Sequence, residues 1–320
     1  MLEEKKELLR VEHLKKYFTT PKGTLHAVDD VNFSIRAGET LGVVGESGCG
    51  KSTLGRTILR LLEATSGEVL YNGENILSYP RPQMKQVRLN MQMIFQDPFT
   101  SLNPRLSISS IIAEPIRVCG TIKSKQGVRE KVRELMEVCG LPDRYVNTYP
   151  HELDGGRRQR VGLARALAVD PKFIVCDEPV SALDVSIQAQ ILNLLMDLQD
   201  KQGLSYMFIT HDLCVVRHIS TNIMVMYMGK VVEYAPKEEL FLHQAHPYTQ
   251  ALLSAIPTTD LNRRNRKRHA LAGEVANPIN PAPGCRFAPR CPYACERCKE
   301  PQALREVSPG HYAACVLCQE

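Results

Sequence analysis

The chain has 320 residues, 43% hydrophobic and 23% charged, a globular composition that excludes a disordered chain. Its formal charge of +5, from 40 basic and 35 acidic residues spread along the sequence, does not indicate nucleic acid as a partner. No apolar run approaches the roughly 18 residues of a membrane span, and Met1-Leu2-Glu3-Glu4-Lys5-Lys6-Glu7 lacks the apolar stretch of a signal peptide. The expectation is a cytosolic protein, long enough for one large domain plus a smaller one, to which other chains would bring any membrane part.

Leu8–Tyr17 and Ala27–Ile35 alternate apolar and polar residues as strands do, around the turn-like Thr20-Pro21-Lys22-Gly23. Leu41-Gly42-Val43-Val44 reads as a short buried strand and Ser52–Leu62 as the helix that follows it. Between them, Gly45-Glu46-Ser47-Gly48-Cys49-Gly50-Lys51-Ser52 fits the phosphate-loop pattern G-x-x-x-x-G-K-[ST] at every fixed position. Glycines at 45, 48 and 50 let backbone N–H groups turn toward phosphates, and the helix presents its positive end. Lys51 would reach the β- and γ-phosphates and the Ser52 hydroxyl would ligate Mg²⁺.

From Met84 to Leu167 the pattern turns mainly helical, with Val128–Cys139 amphipathic at helical spacing. Phe173–Cys176 and Tyr206–Ile209 are apolar without alternation, as strands buried on both faces are, and helical Ile187–Gln199 lies between them. Strand, helix, strand implies a parallel sheet and an α/β fold. Asp177 and Glu178 follow the first of these strands, at the carboxyl end that faces the ligand crevice in α/β sheets. Asp177 would hold Mg²⁺, and Glu178 would polarise a water for attack on the γ-phosphate. Beyond Ser254 prolines become frequent, and Arg263-Arg264-Asn265-Arg266-Lys267-Arg268 reads as a solvated linker or as an attraction for anionic lipid headgroups. There are no internal repeats.

Cys49, Cys119, Cys139, Cys176 and Cys214 are scattered, mostly beside apolar residues, and are expected to be small buried hydrophobes. The other six cysteines crowd into the tail. Read from spacing alone, Cys295-x₂-Cys298 and Cys315-x₂-Cys318 fit a four-cysteine zinc site.

With these residues the sequence resembles the ABC (ATP-binding-cassette) ATPases. They share the phosphate loop, a glutamine after it, a signature L-S-G-G-Q, an acid pair, an S-A-L-D turn and a switch histidine. Here the matching residues are Gln96, Leu153-Asp154-Gly155-Gly156-Arg157, Asp177-Glu178, Ser181-Ala182-Leu183-Asp184 and His211. The resemblance covers residues 8–255 and implies a mixed-sheet cassette of the P-loop NTPase class, with a helical subdomain at about 92–165. It also implies that ATP and Mg²⁺ bind there. Thr53 joins the loop in holding the phosphates, and Gln96 senses the γ-phosphate and joins Ser52 and Asp177 at Mg²⁺. His211 contacts the γ-phosphate, and Tyr17 (or its neighbour Phe18) stacks on adenine. Asp154, Gly155, Gly156, Arg157 and Asp184 would face the site of a second ATPase subunit across a head-to-tail dimer.

The signature departs from the family, reading L-D-G-G-R. Where the family's serine donates to the γ-phosphate, Asp154 places an acceptor-only carboxylate. Two like charges about 4 Å apart repel by several kcal/mol at an effective dielectric of about 20. Arg157 would offset part of this, and Asp154 also has the chemistry of a helix cap. The charge reading implies an asymmetric heterodimer, in which this chain's own loop, Glu178 and His211 form the working site and Asp154 completes a weak one.

Three segments resemble one branch, the dipeptide, oligopeptide and nickel importer ATPases. They are Gln96-Asp97-Pro98-Phe99-Thr100-Ser101-Leu102-Asn103-Pro104, then His246-Pro247-Tyr248-Thr249 with Leu252–Pro257, then Gly284–Pro292. The branch implies two transmembrane permease subunits, an extracytoplasmic substrate-binding protein, and a position on the cytoplasmic face of the cell membrane. It implies a separate C-terminal region, 256–320, in which Cys285, Cys291, Cys298 and Cys315 hold a [4Fe–4S] cluster, zinc or no metal being the alternatives. The cargo is expected to be di- or oligopeptide, with nickel or another small solute as the alternative. A soluble ABC ATPase acting on nucleic acid or ribosomes would carry two cassettes or a coiled-coil insertion, and this chain has neither. A purely regulatory subunit is at odds with the intact Glu178.

Overall fold

The computed structural model describes residues 6–181, 183–256 and 278–318; the basic run Arg263–Arg268 lies outside the described residues. The chain forms two compact units. One is built mainly from Arg36–Glu39 and Ser78–Ile209, the other from Glu7–Ile35, Thr40–Leu77 and Thr210–Glu320.

In the second unit, β1 (Glu7–Thr20) and β2 (Gly23–Arg36) flank a tight turn, and their alternation buries Leu9, Val11, Leu14, Val28, Val31 and Ile35. β3 (Thr40–Val44) is buried along its whole length, as its unbroken apolar run requires. It feeds the phosphate loop and α1 (Lys51–Ile58). α1 is shorter than the sequence suggests. Arg60 adopts φ +52°, and the Leu61 and Arg60 N–H groups bond back to the Arg56 and Thr57 carbonyls, a Schellman closure that ends the helix before Leu62. β4 (Ser66–Tyr71) and β5 (Glu74–Asn75) complete an antiparallel sheet in the order β2-β1-β4-β5.

The first unit opens with α2 (Arg81–Asn90) and β6 (Met91–Ile94). The strand falls inside the stretch expected to be mainly helical. Four residues are too few to display a period, and only parallel pairing with a later strand identifies it. The helices α3 (Pro98–Ser101), α4 (Ile108–Cys119), α5 (Lys125–Val138) and α6 (Gly155–Leu167) start at Asp97, Ser107, Ser124 and Asp154, whose side chains accept from the first-turn N–H groups. β7 (Phe173–Asp177), α7 (Val185–Gln202) and β8 (Ser205–Ile209) then form the expected strand–helix–strand unit, with β6, β7 and β8 parallel and in register from Met91↔Phe173↔Ser205.

The second unit resumes with α8 (Leu213–Ile219), β9 (Asn222–Tyr227) and β10 (Lys230–Pro236). Met228 (φ +45°) and Gly229 (φ +81°) make the two-residue turn between the strands. After α9 (Lys237–Leu242) and α10 (Pro247–Ser254) come β11 (Arg305–Ser308) and β12 (His311–Ala313). The order is β11-β12-β10-β9-β3, parallel only between β3 and β9, so the sheet is mixed. The tail is thus tied to the cassette. His311 lies 2.7 Å from the buried Glu233 carboxylate, and Phe287 shares a core with Val44, Tyr227 and Tyr248.

Of the five scattered cysteines, Cys49, Cys139 and Cys176 are buried as expected. Cys119 is half-buried as the last residue of α4, and Cys214 is exposed in the first turn of α8, so two of the five are not core residues. Among the described residues no helix is long and apolar enough to cross a membrane.

Candidate functional site

The phosphate loop is held open by backbone geometry. Gly50 has φ +105°, and a Cβ there would stand 2.0 Å from the Ala27 carbonyl oxygen; at Gly45, φ +152°, it would stand 2.2 Å from that of Met226. Only glycine fits either place. Gly48 is exposed, also at positive φ. α1 begins at Gly50 without a side-chain cap, unlike α3 to α8, each capped by a side chain. The positive end of the helix faces the loop. Lys51 Nζ is buried and donates to the Gly45 and Glu46 carbonyls at 2.7 and 2.9 Å, curled over the loop. Ser52 and Thr53 follow in the first turn, both half-buried.

Asp177 is the last residue of β7 and fully buried; Glu178 follows in the left-handed region at φ +46°. A non-glycine residue held there is strained, and such strain gathers where a side chain must be aimed. The Glu178 N–H donates to the Ile209 carbonyl at 2.9 Å, and its carboxylate accepts from Gln96 Nε2 at 3.0 Å. Gln96, 82 positions earlier, is thereby set beside the expected base.

Asp154 is the cap of α6. Its Oδ1 accepts from the Arg157 N–H at 2.8 Å, and Oδ2 pairs with the Arg157 guanidinium. Both side chains remain about half exposed, so the pair is screened. The cap chemistry and the offset by Arg157 are therefore both present. Gly155 and Gly156 open the same helix, and a Cβ at Gly156 would meet Ile187 at 2.6 Å. Asp184 caps α7, accepting from the Ile187 N–H and the Ser186 hydroxyl, which hold its carboxyl below its usual pKa. Ala182 lies outside the described residues. His211 is exposed just after Thr210, next to Asp212, the cap of α8.

Tyr17 stacks on His26 (ring centroids 4.0 Å apart, planes 22° apart), and its hydroxyl donates to Asp29. Asp29 also pairs with Arg286, and despite burial these two partners lower its pKa. Glu46 is held in turn by the tail. Its N–H donates to the Tyr248 hydroxyl at 2.9 Å, and its carboxylate accepts a two-pronged bond from Arg290 at 2.8 and 3.1 Å. Motif reading gave no role to Glu46, Asp29, Arg286 or Arg290. The partners are far apart in sequence, and no local pattern announces them.

Cys285, Cys291, Cys298 and Cys315 line one cleft together with His246, Phe287 and Tyr293. Cys295 is exposed, 3.8 Å from Cys298 between sulfurs, and the Cys318 thiol donates to the Ala245 carbonyl. Burial raises the Cys285 pKa to about 11, whereas a hydrogen bond from Cys318 lowers that of Cys315. Among the described residues no group of three or more His, Cys, Asp and Glu side chains stands at metal-ligand spacing.

A family model for ABC transporters matches residues 28–181, and one for the oligopeptide/dipeptide transporter C-terminal region matches residues 232–298. The oligopeptide transport ATP-binding protein OppF of Bacillus subtilis is 51% identical over 97% of this chain and 96% of its own length. Its namesake from Salmonella typhimurium is 48% identical over 99% and 98%. Among solved structures, a dimeric ATP-binding cassette, MJ0796, bound to ADP and Pi is similar at a TM-score of 0.67 and 28% identity, covering 72% of this chain and 99% of that one. CbiO1 of Clostridium perfringens is similar at a TM-score of 0.66, covering 75% and 92%. With its uncapped phosphate loop, its Gln96–Glu178 pair and these relatives, the chain belongs to the ABC transporter ATPases, in the branch that carries the oligopeptide/dipeptide transporter C-terminal region.

Proposed function

We propose that this chain hydrolyses ATP to drive the uptake of di- or oligopeptides through separate membrane subunits, supplied by an external substrate-binding protein. The observation that carries the reading is near-full-length similarity to oligopeptide transport ATP-binding proteins, 51% identical in one case. Its position is the cytoplasmic face of the membrane, on two permease subunits. The cassette occupies 8–255 and the C-terminal region 256–320.

In this reading Tyr17 stacks on adenine, the N–H groups of Gly45–Thr53 surround the phosphates, and Lys51 leaves its loop carbonyls for the β- and γ-oxygens. Ser52, Gln96 and Asp177 would hold Mg²⁺, whose charge would offset that of the phosphates. Glu178, aimed by its backbone and by Gln96, accepts a proton from water as the water oxygen bonds to the γ-phosphorus. The bond to the bridging oxygen breaks, and ADP leaves with that oxygen. His211 donates to the γ-phosphate. Reconstituted with its membrane subunits, the complex should couple ATP hydrolysis to peptide uptake; hydrolysis stimulated by nickel and not by peptides would move the cargo to the alternative.

The second ATPase subunit is a different chain. Asp154 presents its carboxylate, half-neutralised by Arg157, to the partner's nucleotide, and Gly155, Gly156 and Asp184 flank it. Single-turnover assays with each subunit's catalytic glutamate replaced in turn test the asymmetry. Equal activity at both sites would refute it.

Cys285, Cys291, Cys298 and Cys315 would be the residues to hold an iron–sulfur cluster. Their all-thiol chemistry and shared cleft support this set; of the spacing-derived zinc set, Cys295 and Cys318 do not line that cleft, although the Cys295 sulfur stands 3.8 Å from that of Cys298. Purification without oxygen should give a coloured protein; a colourless, zinc-containing preparation would overturn this.

A further inference from the structure

The C-terminal region reaches into the nucleotide-binding unit with two arginines, one on each side of Phe287-Ala288-Pro289. Arg290 has only 6% of its side chain exposed, and both its terminal nitrogens hold the Glu46 carboxylate, with Tyr227 Oη 3.3 Å away. Arg286, 5% exposed, pairs with Asp29 and donates to the Met228 carbonyl. Glu46 is the second residue of the phosphate loop, and its carbonyl accepts from Lys51. Asp29 accepts from Tyr17, the residue placed under adenine. The two acids that border the expected nucleotide are thus each matched by an arginine of the tail.

A carboxylate in a phosphate-binding loop works against its ligand, because an uncompensated charge repels a triphosphate through a partly buried medium. Arg290 removes that charge and fixes the side chain. A guanidinium fork suits the task, since two parallel N–H bonds lock orientation as well as charge. The Tyr248 hydroxyl, accepting from the Glu46 N–H, fixes the same residue from the backbone side. Tyr248 and Phe287 pack edge-on against Tyr227, which keeps the clamp rigid.

We propose that Arg290 is a positioning residue of the nucleotide site: the C-terminal region neutralises Glu46 and so sets the affinity of the phosphate loop for ATP. Arg286 does the same for Asp29 at the base end. The inference rests on the proposed ATPase function. It gives the C-terminal region a task apart from any metal its cysteines hold.

The test measures Mg-ATP binding to the full-length chain by calorimetry, with a thermal melt of each variant alongside. Arg290→Gln should weaken ATP binding about tenfold, equivalent to about 1.4 kcal/mol. Adding Glu46→Gln should recover most of the loss, because the stray charge is gone. A purely structural brace would not be rescued by removing its partner. Arg290→Lys, which keeps the charge and loses the fork, should stay within about threefold of the parent, and it serves if the glutamine variant fails to fold. ATP affinity unchanged in Arg290→Gln, a double variant as weak as the single, or a lysine variant as weak as glutamine would each overturn the proposal. Failure of the parent chain to bind ATP would instead sink the functional reading itself.

Discussion

Acidification should destabilise the chain through His246. The ring is 1% exposed, its Nδ1 accepts from the Tyr248 N–H at 3.0 Å, and burial lowers its pKa from 6.5 to about 4. A base with a depressed folded pKa binds its proton first in the unfolded chain. Its contribution is therefore present above about pH 6.5 and is lost as pH falls toward 4. The linkage relation gives a loss of about 1.4 kcal/mol at pH 5.5 and about 2.5 kcal/mol at pH 4.5, relative to pH 7.5. His311 acts in the opposite sense. Burial lowers its pKa, but bonds to Glu233 and Glu239 outweigh this and raise it, so its stabilisation is complete below about pH 6.5 and fades as pH rises. The variant His246→Asn separates the two, because asparagine still caps α10 and does not titrate. Urea unfolding of both proteins at pH 7.5, 5.5 and 4.5 is the assay. The parent should lose about 2.5 kcal/mol more than the variant by pH 4.5; parallel losses would refute the assignment to His246.

Glu178→Gln should lower ATP hydrolysis by the assembled transporter at least about 100-fold while ATP still binds; phosphate release and nucleotide retention check the two halves. Gly50→Ala, whose Cβ would meet the Ala27 carbonyl at 2.0 Å, should cost roughly 2 kcal/mol of stability and abolish detectable ATP binding in calorimetry. Asp154→Ala should lose about 1 kcal/mol with the α6 cap, whereas Asp154→Ser should keep it. Denaturant melts decide that point, and a gain in the partner site's turnover in the serine variant would favour the charge reading.

The loop, the acid pair and the strand–helix–strand unit were legible because each is a local pattern whose chemistry depends on neighbours in sequence. Asp177 and Glu178 could be placed at a strand end from four apolar residues before them. Gln96 could be named only through resemblance, since its bond to Glu178 spans 82 positions. β6 was hidden because four residues cannot show a period, and the end of α1 because a non-glycine residue, Arg60, takes the left-handed turn. In sequence, Asp154 fits either a cap or a misplaced charge. The structure gives it the cap and a guanidinium partner as well.

The C-terminal motifs acquire a physical meaning that spacing alone concealed. In His246-Pro247-Tyr248-Thr249, the histidine caps α10 and orients the tyrosine, whose hydroxyl then meets the Glu46 N–H in the phosphate loop. In Cys285-Arg286-Phe287-Ala288-Pro289-Arg290-Cys291, cysteines face the cleft while the arginines reach Asp29 and Glu46. A short 3₁₀ turn at Ala288–Arg290 spaces the second arginine from the first. The same seven residues therefore carry thiols on one side and the counter-charges of Asp29 and Glu46 on the other. Any group bound by the thiols would fix the backbone that positions both arginines.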